Sequence, residues 1–170
     1  LALEGAWTYD ELYKWTMFYD DSDPTGASGD RYGLFFTMQS HDTPLPIDAF
    51  PYAWDISFIT ENNDGTHEFD IIGNEKAENA LNRCRNLFYA PGTYSNASAN
   101  LFAGGTAMFY MDKLYSGYEA NMAIREMDDK YGLLPMPKYD VDQEQYGTTA
   151  TDGYSLMTIL DHAKSDVPTK

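Results

Sequence analysis

The segment from Leu101 to Pro137 constrains the fold of this chain more than any other part of the sequence. A Gly-Gly turn precedes an apolar run, Ala107 to Met111, which predicts a strand. Polar and aromatic residues follow from Asp112 to Tyr118, then a stretch of helical character, then a second apolar run from Tyr131 to Met136 that prolines close. A strand, a helix and a strand joined by short turns predict a parallel α/β sheet.

The remaining elements are predicted from periodicity, caps and turn residues. The pair Thr8 and Glu11 has the spacing of a capping box, which predicts a helix through Tyr19 with Leu12, Trp15, Met17 and Phe18 on its apolar face. Further predicted elements are a strand at Tyr32 to Met38, a helix at Pro51 to Ile59, a turn at Glu61 to Gly65, a strand at His67 to Ile72, a helix capped by Asn74 that runs to Tyr89, a short helix at Ser95 to Leu101 and a last strand at Tyr154 to Leu160.

Composition bounds the class of protein. The formal net charge of −16 repels phosphate backbones, so nucleic acid is excluded as a partner. A hydrophobic content of 43% is too high for a disordered chain. Aromatic residues make up 15% of the chain, and aromatic rings can stack on the apolar faces of sugars, which favours a carbohydrate site. The alternative is that many of these rings fill the core.

Cysteine and histidine usage argues against a disulfide, a catalytic thiol and a zinc site. Cys84 is the only cysteine, and the helical spacing of its apolar neighbours predicts that it packs as a small apolar side chain. His41, His67 and His162 are isolated from one another and from cysteine, which disfavours zinc. The loop from Asp20 to Asp30 begins like a calcium loop, but it lacks the closing glutamate, which favours a solvated turn.

Four phrases of the sequence resemble one family in their order along the chain. They are Trp7 to Leu12, Leu101 to Met108, Tyr131 to Lys138 (YGLLPMPK) and the continuation to Tyr146. Together they are similar to the bacterial extracellular solute-binding proteins of ABC transporters, in the group that takes up carbohydrates. Two positions depart from the family pattern: Leu101 stands where phenylalanine is usual, and Gly105 where lysine or arginine is usual.

The resemblance implies a fold and a function. The fold class expected is α/β, one lobe of a periplasmic-binding-protein-like type II fold, with a mainly parallel sheet flanked by helices. Residues 1–170 are expected to form a single lobe, the second of a longer two-lobed protein, without its last helices. The implied activity is capture of a sugar or oligosaccharide between two lobes and delivery to ABC permease subunits in the membrane. The implied location is the cell surface, with the full-length protein held there as a lipoprotein, and neither a cofactor nor a metal is expected.

Candidate ligand-binding residues follow from strand ends and helix starts, where ligands of α/β sheets bind. The family also places stacking aromatic residues at the start of the second helix and cleft residues before the last strand. The candidates are Gln39, His41, Asp42, Tyr52, Trp54, Asp112, Tyr115, Asp152 and Tyr154.

Two other classes of function stay open from the sequence. A fragment of a carbohydrate-active enzyme needs paired carboxylates, and acidic residues this abundant give such pairs by chance. No nucleophile-elbow, phosphate-loop or dinucleotide-binding motif is present, so no catalytic activity is expected. A surface interaction module is the other alternative. Hydrolysis of a glycan panel distinguishes the enzyme, and binding to a macromolecule distinguishes the interaction module.

Overall fold

The computed structural model describes residues 1–20, 30–36, 48–95, 98–112 and 122–149. These residues form a mixed α/β structure, which confirms the predicted class at that level. A 3-10 turn at Ala2–Glu4 precedes the other elements. The helices are α1 (Tyr9–Thr16), α2 (Ala49–Ala53), α3 (Glu75–Phe88), α4 (Ala99–Ala103) and α5 (Met122–Arg125). The strands are β1 (Tyr19–Asp20), β2 (Arg31–Phe36), β3 (Ile59–Glu61), β4 (His67–Phe69), β5 (Thr93–Tyr94) and β6 (Ala107–Met111).

Strand β2 is the centre of the main sheet. Along one edge it pairs in parallel with β6, from Tyr32 opposite Ala107 to Phe36 opposite Met111. Its start pairs antiparallel with β1, and further along it pairs in parallel with β5 at Leu34. Because a strand has only two edges, β1 and β5 share the edge of β2 that β6 leaves free. The sheet is therefore partly parallel, with β1 as its antiparallel strand.

The core lies against β2 and unites distant parts of the chain. The last residues of β2, Leu34 to Phe36, are almost fully buried, as expected for a strand covered on both faces. Helix α3 contributes Leu87 and Phe88 to the same hydrophobic cluster as Leu34 and Phe36, and the ring centroids of Phe36 and Phe88 lie 4.4 Å apart. Helix α2 contributes Phe50, which is also fully buried.

Two glycines allow the backbone of α1 to approach the sheet closely. The amides of Gly33 and Leu34 both donate to the Gly92 carbonyl, at 2.9 and 3.0 Å. A Cβ atom on Gly92 would lie 2.0 Å from the Thr16 carbonyl oxygen, closer than real Cβ contacts allow. A Cβ atom on Gly33 would lie 2.2 Å from the Trp15 carbonyl oxygen. Glycine at both positions is therefore required by backbone packing.

The predicted capping box at the start of α1 does not form. Thr8 occupies the N-cap position but its side chain accepts no capping hydrogen bond. Instead its backbone forms a parallel bridge with Lys138, where the Tyr9 amide donates to the Lys138 carbonyl at 2.8 Å. Thr8 is buried by this tertiary pairing. A long-range backbone contact has taken the place of the local cap.

The predicted length and apolar face of α1 are also wrong in part. The helix ends at Thr16 rather than Tyr19, because Tyr19 pairs with Tyr32 in the sheet. Leu12 is buried as predicted, but the other three residues predicted for the apolar face are exposed. The exposed members are Trp15, Met17 and Phe18. The buried face of the helix is formed by Tyr9, Leu12 and Thr16.

The hairpin turn and helix α3 are confirmed. The Asn62 amide donates to the Thr66 carbonyl at 2.8 Å and closes the predicted turn between β3 and β4. The Asn74 side chain accepts from the Ala77 amide at 3.2 Å, which is the predicted cap of α3. The predicted second helix ends early at Ala53, because Asp55 adopts a left-handed backbone conformation with φ of 54°.

The run from Tyr131 to Met136 was predicted to be a strand, and this prediction is wrong. The segment joins no sheet in the described part of the chain. Pro135 and Pro137 have no N–H to donate to a ladder. Their carbonyls instead accept from indole groups: Trp7 Nε1 donates to Pro135 at 3.0 Å, and Trp54 Nε1 donates to Pro137 at 3.1 Å. Side-chain hydrogen bonds thus fix this segment where a strand ladder was expected.

Within the described residues, no helix combines the length and the apolar character that crossing a membrane requires. The predicted strand from Tyr154 to Leu160 lies outside the described residues.

The environment of Cys84 gives a first testable prediction. Its side chain is buried on α3, as the sequence predicted, and burial raises the pKa of the thiol to about 12. Because the thiolate is the reactive species, we expect the native protein to react with iodoacetamide at pH 8 far more slowly than the urea-unfolded protein. Mass spectrometry of the alkylated chain measures both rates. Equal rates in the two states would contradict burial of Cys84.

Candidate functional site

The parallel strands β2 and β6 end side by side. Phe36 and Met111, the last residues of the two strands, are register partners. Asp112 follows directly and is exposed, so the sequence-predicted carboxylate stands at the carboxyl edge of the sheet. This edge is where open α/β sheets bind their ligands.

Asp112 belongs to a small aromatic and acidic group. The Tyr110 hydroxyl donates to the Asp112 carboxylate at 2.6 Å. The rings of Tyr110 and Phe102 lie 5.5 Å apart at an angle of 23°, so they are nearly parallel. We call Phe102, Tyr110 and Asp112 the β6 edge group. It combines aromatic surface with a carboxylate that can accept hydrogen bonds from hydroxyl groups.

Helix α4 and the following turn bring Phe102 to this position. The Ser98 side chain accepts from the Leu101 amide and caps the helix. Gly105 then adopts φ of 72°, which reverses the chain into β6, and the Thr106 hydroxyl fixes the turn by donating to the Leu101 carbonyl at 2.8 Å. The strand therefore runs back along the helix, so that Tyr110 meets Phe102.

An open cavity of about 1430 Å³ lies along β6 and reaches the Asp112 end of the strand. Its walls are mainly apolar and include Trp7 and Phe109, whose ring centroids are 5.4 Å apart. The segment 131–137 also lines the cavity. Charged side chains of both signs occur in its described lining: Asp112, Arg125, Asp129 and Lys130. The lining thus contains both acidic and basic groups, although the whole chain is strongly acidic.

Trp54 does not have the ligand-stacking position that was predicted for it. Its side chain is 0% exposed, and its indole donates to the Pro137 carbonyl. The rings of Tyr9 and Tyr139 stand edge-on to it, at centroid distances of 5.8 and 5.6 Å. Trp54 is therefore a core residue, because packing from two distant segments covers it.

Tyr52, inside α2, has the opposite environment from Trp54, which caps the end of that helix. It is 61% exposed, since residues two apart on a helix point in nearly opposite directions. Tyr52 is not part of the described lining of the cavity beside Asp112. Its ring remains available to a ligand, but the structure does not bring it together with the β6 edge group.

The other predicted site residues lie outside the described residues and stay predictions. They are Gln39, His41, Asp42, Tyr115, Asp152 and Tyr154. Most of the acidic loop from Asp20 to Asp30 also lies outside them. In the described part of the chain, no three His, Cys, Asp or Glu side chains are grouped in a way that could hold a metal ion.

Sequence reasoning missed several residues that line the cavity. Phe102 was not singled out, and Phe109 was noted only as part of the apolar run from Ala107 to Met111, although the alternation along β6 puts Tyr110 and Asp112 on one face and Phe109 on the other. Trp7 was noted only within a motif, and nothing in the sequence predicts that it meets Phe109.

Comparison of the chain with protein-family models, with curated proteins and with solved structures found no match.

Proposed function

We propose that the chain is the ligand-binding lobe of an extracellular solute-binding protein, and that it holds a neutral sugar or oligosaccharide at the β6 edge group. The observation that carries the proposal is the arrangement of Phe102, Tyr110 and Asp112. Aromatic rings offer apolar area to the C–H faces of a sugar, and a carboxylate next to them accepts hydrogen bonds from its hydroxyl groups.

The cavity supports the same proposal. Two of the phrases that resemble the solute-binding family are separate in the sequence, yet residues of both line this one cavity: Ala107 and Met108 from the first, and residues 131–137 from the second. Acidic and basic side chains occur together in the lining, which favours a neutral polar ligand over a strongly charged one.

The proposed mechanism is capture without catalysis. A sugar bound at the carboxyl edge of the sheet would be covered by a second lobe, and the closed form would be recognised by permease subunits of an ABC importer. Under this proposal the protein acts outside the cell, at the membrane surface, as a lipid-anchored protein. No cofactor is required, because binding and release are the whole of the activity.

The test is calorimetric titration of the full gene product with neutral monosaccharides and oligosaccharides. We expect one of them to bind saturably, and we expect Asp112→Asn to weaken that binding about tenfold, which corresponds to about 1.4 kcal/mol. Asparagine keeps the size of the side chain but loses the charge that strengthens hydrogen bonds from hydroxyl groups.

Glu126→Gln is the matched control, because it also neutralises an exposed acid but lies outside the described cavity lining. Its affinity should equal that of the wild type. The proposal fails if no sugar binds, or if Asp112→Asn and Glu126→Gln bind the sugar equally well.

A further inference from the structure

The hairpin formed by β3 and β4 carries an apolar pair on its surface. Ile59 and Phe69 are direct cross-strand partners, and they are 56% and 60% exposed. Ile72, just beyond β4, is 85% exposed. Cross-strand partners lie on the same face of a sheet, so Ile59 and Phe69 form one continuous apolar surface. We call Ile59, Phe69 and Ile72 the hairpin patch.

The hairpin is held in a fixed conformation from both ends. At its base the Asp70 amide donates to the Phe58 carbonyl at 3.0 Å, and Phe58 packs against the hydrophobic core. At its tip the Asp64 carboxylate accepts from both the amide and the hydroxyl of Thr66. These hydrogen bonds lower the pKa of Asp64. The patch is therefore presented on a preformed element.

Both outer edges of the hairpin are free within the described part of the chain. Strands β3 and β4 form a two-stranded sheet with each other and pair with no other described strand. An exposed edge beside apolar side chains is the geometry that accepts an added strand from a partner. The edges offer backbone hydrogen bonds, and the patch offers contact area.

In the hairpin segment itself, the formal charges at pH 7 are all negative. From Ile56 to Glu75 the sequence contains no lysine or arginine, while the acidic residues are Glu61, Asp64, Glu68, Asp70 and Glu75. Lys76 is the next basic residue, but its ammonium group donates to the Asp55 carbonyl at 3.2 Å and lies 5.6 Å from the centre of the Tyr139 ring. The described contacts of the Lys76 ammonium group are therefore with Asp55 and Tyr139 rather than with the carboxylates of the hairpin.

We propose that the β3–β4 hairpin is a docking surface for a basic extended segment of a partner protein. Aliphatic side chains of the partner would cover the hairpin patch, and the lysine or arginine side chains that alternate with them would lie beside Glu68 on the opposite face of the hairpin. Charge complementarity selects this occupant, because an acidic surface repels nucleic acid and anionic lipid. The apolar pair adds short-range contact that a purely electrostatic encounter lacks. The proposal does not depend on sugar binding at the β6 edge group.

The test uses a short synthetic peptide of alternating lysine and valine, added to the ¹⁵N-labelled full chain and followed by amide chemical shifts. We expect shifts confined to residues 58–73 and an affinity that falls as salt is added. The same peptide with glutamate in place of lysine should cause no shifts.

Variants that remove apolar area without changing the charge distinguish binding at the hairpin patch from general electrostatic attraction to an acidic protein. Phe69→Thr keeps a side chain suited to strands, and Ile72→Thr lies outside both strands, so it leaves their pairing intact. We expect each to weaken binding of the lysine-valine peptide about tenfold. Leu81→Gln is the matched control, because Leu81 is 65% exposed but belongs to α3 rather than to the hairpin, and it should bind as the wild type does.

Three outcomes would overturn the proposal. The first is a set of shifts spread over the acidic surface rather than the hairpin. The second is unchanged affinity of Ile72→Thr, and the third is equal binding of the glutamate peptide. The amide spectrum of each variant outside the hairpin reports whether its fold is intact.

Discussion

Replacing Gly92 with alanine is expected to destabilise the chain by about 3 kcal/mol or more, at the upper end of what overpacking costs. The added Cβ would lie 2.0 Å from the Thr16 carbonyl oxygen and 2.2 Å from that of Phe18. Both contacts are with backbone, so no side-chain rotation can relieve them. The chain must separate α1 from the sheet to accommodate the methyl group. Urea unfolding followed by circular dichroism measures the loss.

Gly132→Ala is the control for this prediction. Nothing lies within 4 Å of a Cβ built on Gly132, so the substitution should leave the free energy of unfolding nearly unchanged. Gly33→Ala should behave like Gly92→Ala, because its Cβ would lie 2.2 Å from the Trp15 carbonyl oxygen. Equal stability of Gly92→Ala and Gly132→Ala would show that α1 does not pack on the sheet as described.

The substitution Trp54→Ala is expected to lower the free energy of unfolding by about 3–5 kcal/mol. The substitution removes a fully buried ring and leaves the Pro137 carbonyl without its indole donor. Tyr52→Ala is the matched variant, because it removes an aromatic ring two residues away in α2. Because Tyr52 is exposed, its loss should change stability by no more than about 0.5 kcal/mol.

The two variants Trp54→Ala and Tyr52→Ala also test whether Trp54 is a core residue rather than a ligand-binding residue. If Trp54 were a ligand platform, its removal would spare stability and reduce sugar affinity. A Trp54→Ala protein as stable as Tyr52→Ala would therefore contradict burial of the indole in the core.

Local patterns predicted the elements whose structure is decided locally. The helical spacing of Ala77, Ala80, Cys84 and Leu87 fixes the buried face of α3, and the Asn74 side chain caps it without help from the rest of the chain. The apolar runs of β2 and β6 likewise correspond to strands of the main sheet. The fold class follows from these elements, whereas the specific lobe fold stays a prediction.

The failures have a common physical cause, which is contact between distant segments. The run from Tyr131 to Met136 has the composition of a strand, but the carbonyls of Pro135 and Pro137 are taken by indoles from the other end of the sequence and from α2. Thr8 lost its capping role to a backbone bridge with Lys138. No short window of sequence contains any of these three pairs of partners.

The candidate site shows the same difference between residues placed by local sequence and residues placed by contacts between segments. Asp112 was predicted from its place after a strand, and the structure has it at the sheet edge beside Met111. Its aromatic neighbour Phe102 was missed, because the stack with Tyr110 depends on the reversal at Gly105 rather than on any sequence period. The prediction for Trp54 was wrong, because the local sequence around an aromatic residue does not show whether its ring faces the solvent or the core.

The location of sugar binding is the central claim, and methyl NMR of methionine tests it most directly. Met111 precedes Asp112 at the carboxyl end of β6, whereas Met17 precedes β1, which pairs with the opposite end of β2. In the full gene product labelled with ¹³C-methyl methionine, the sugar identified by calorimetry should shift the Met111 signal and leave Met17 unchanged. A shift of Met17 with Met111 unmoved would contradict a binding site at the β6 edge group.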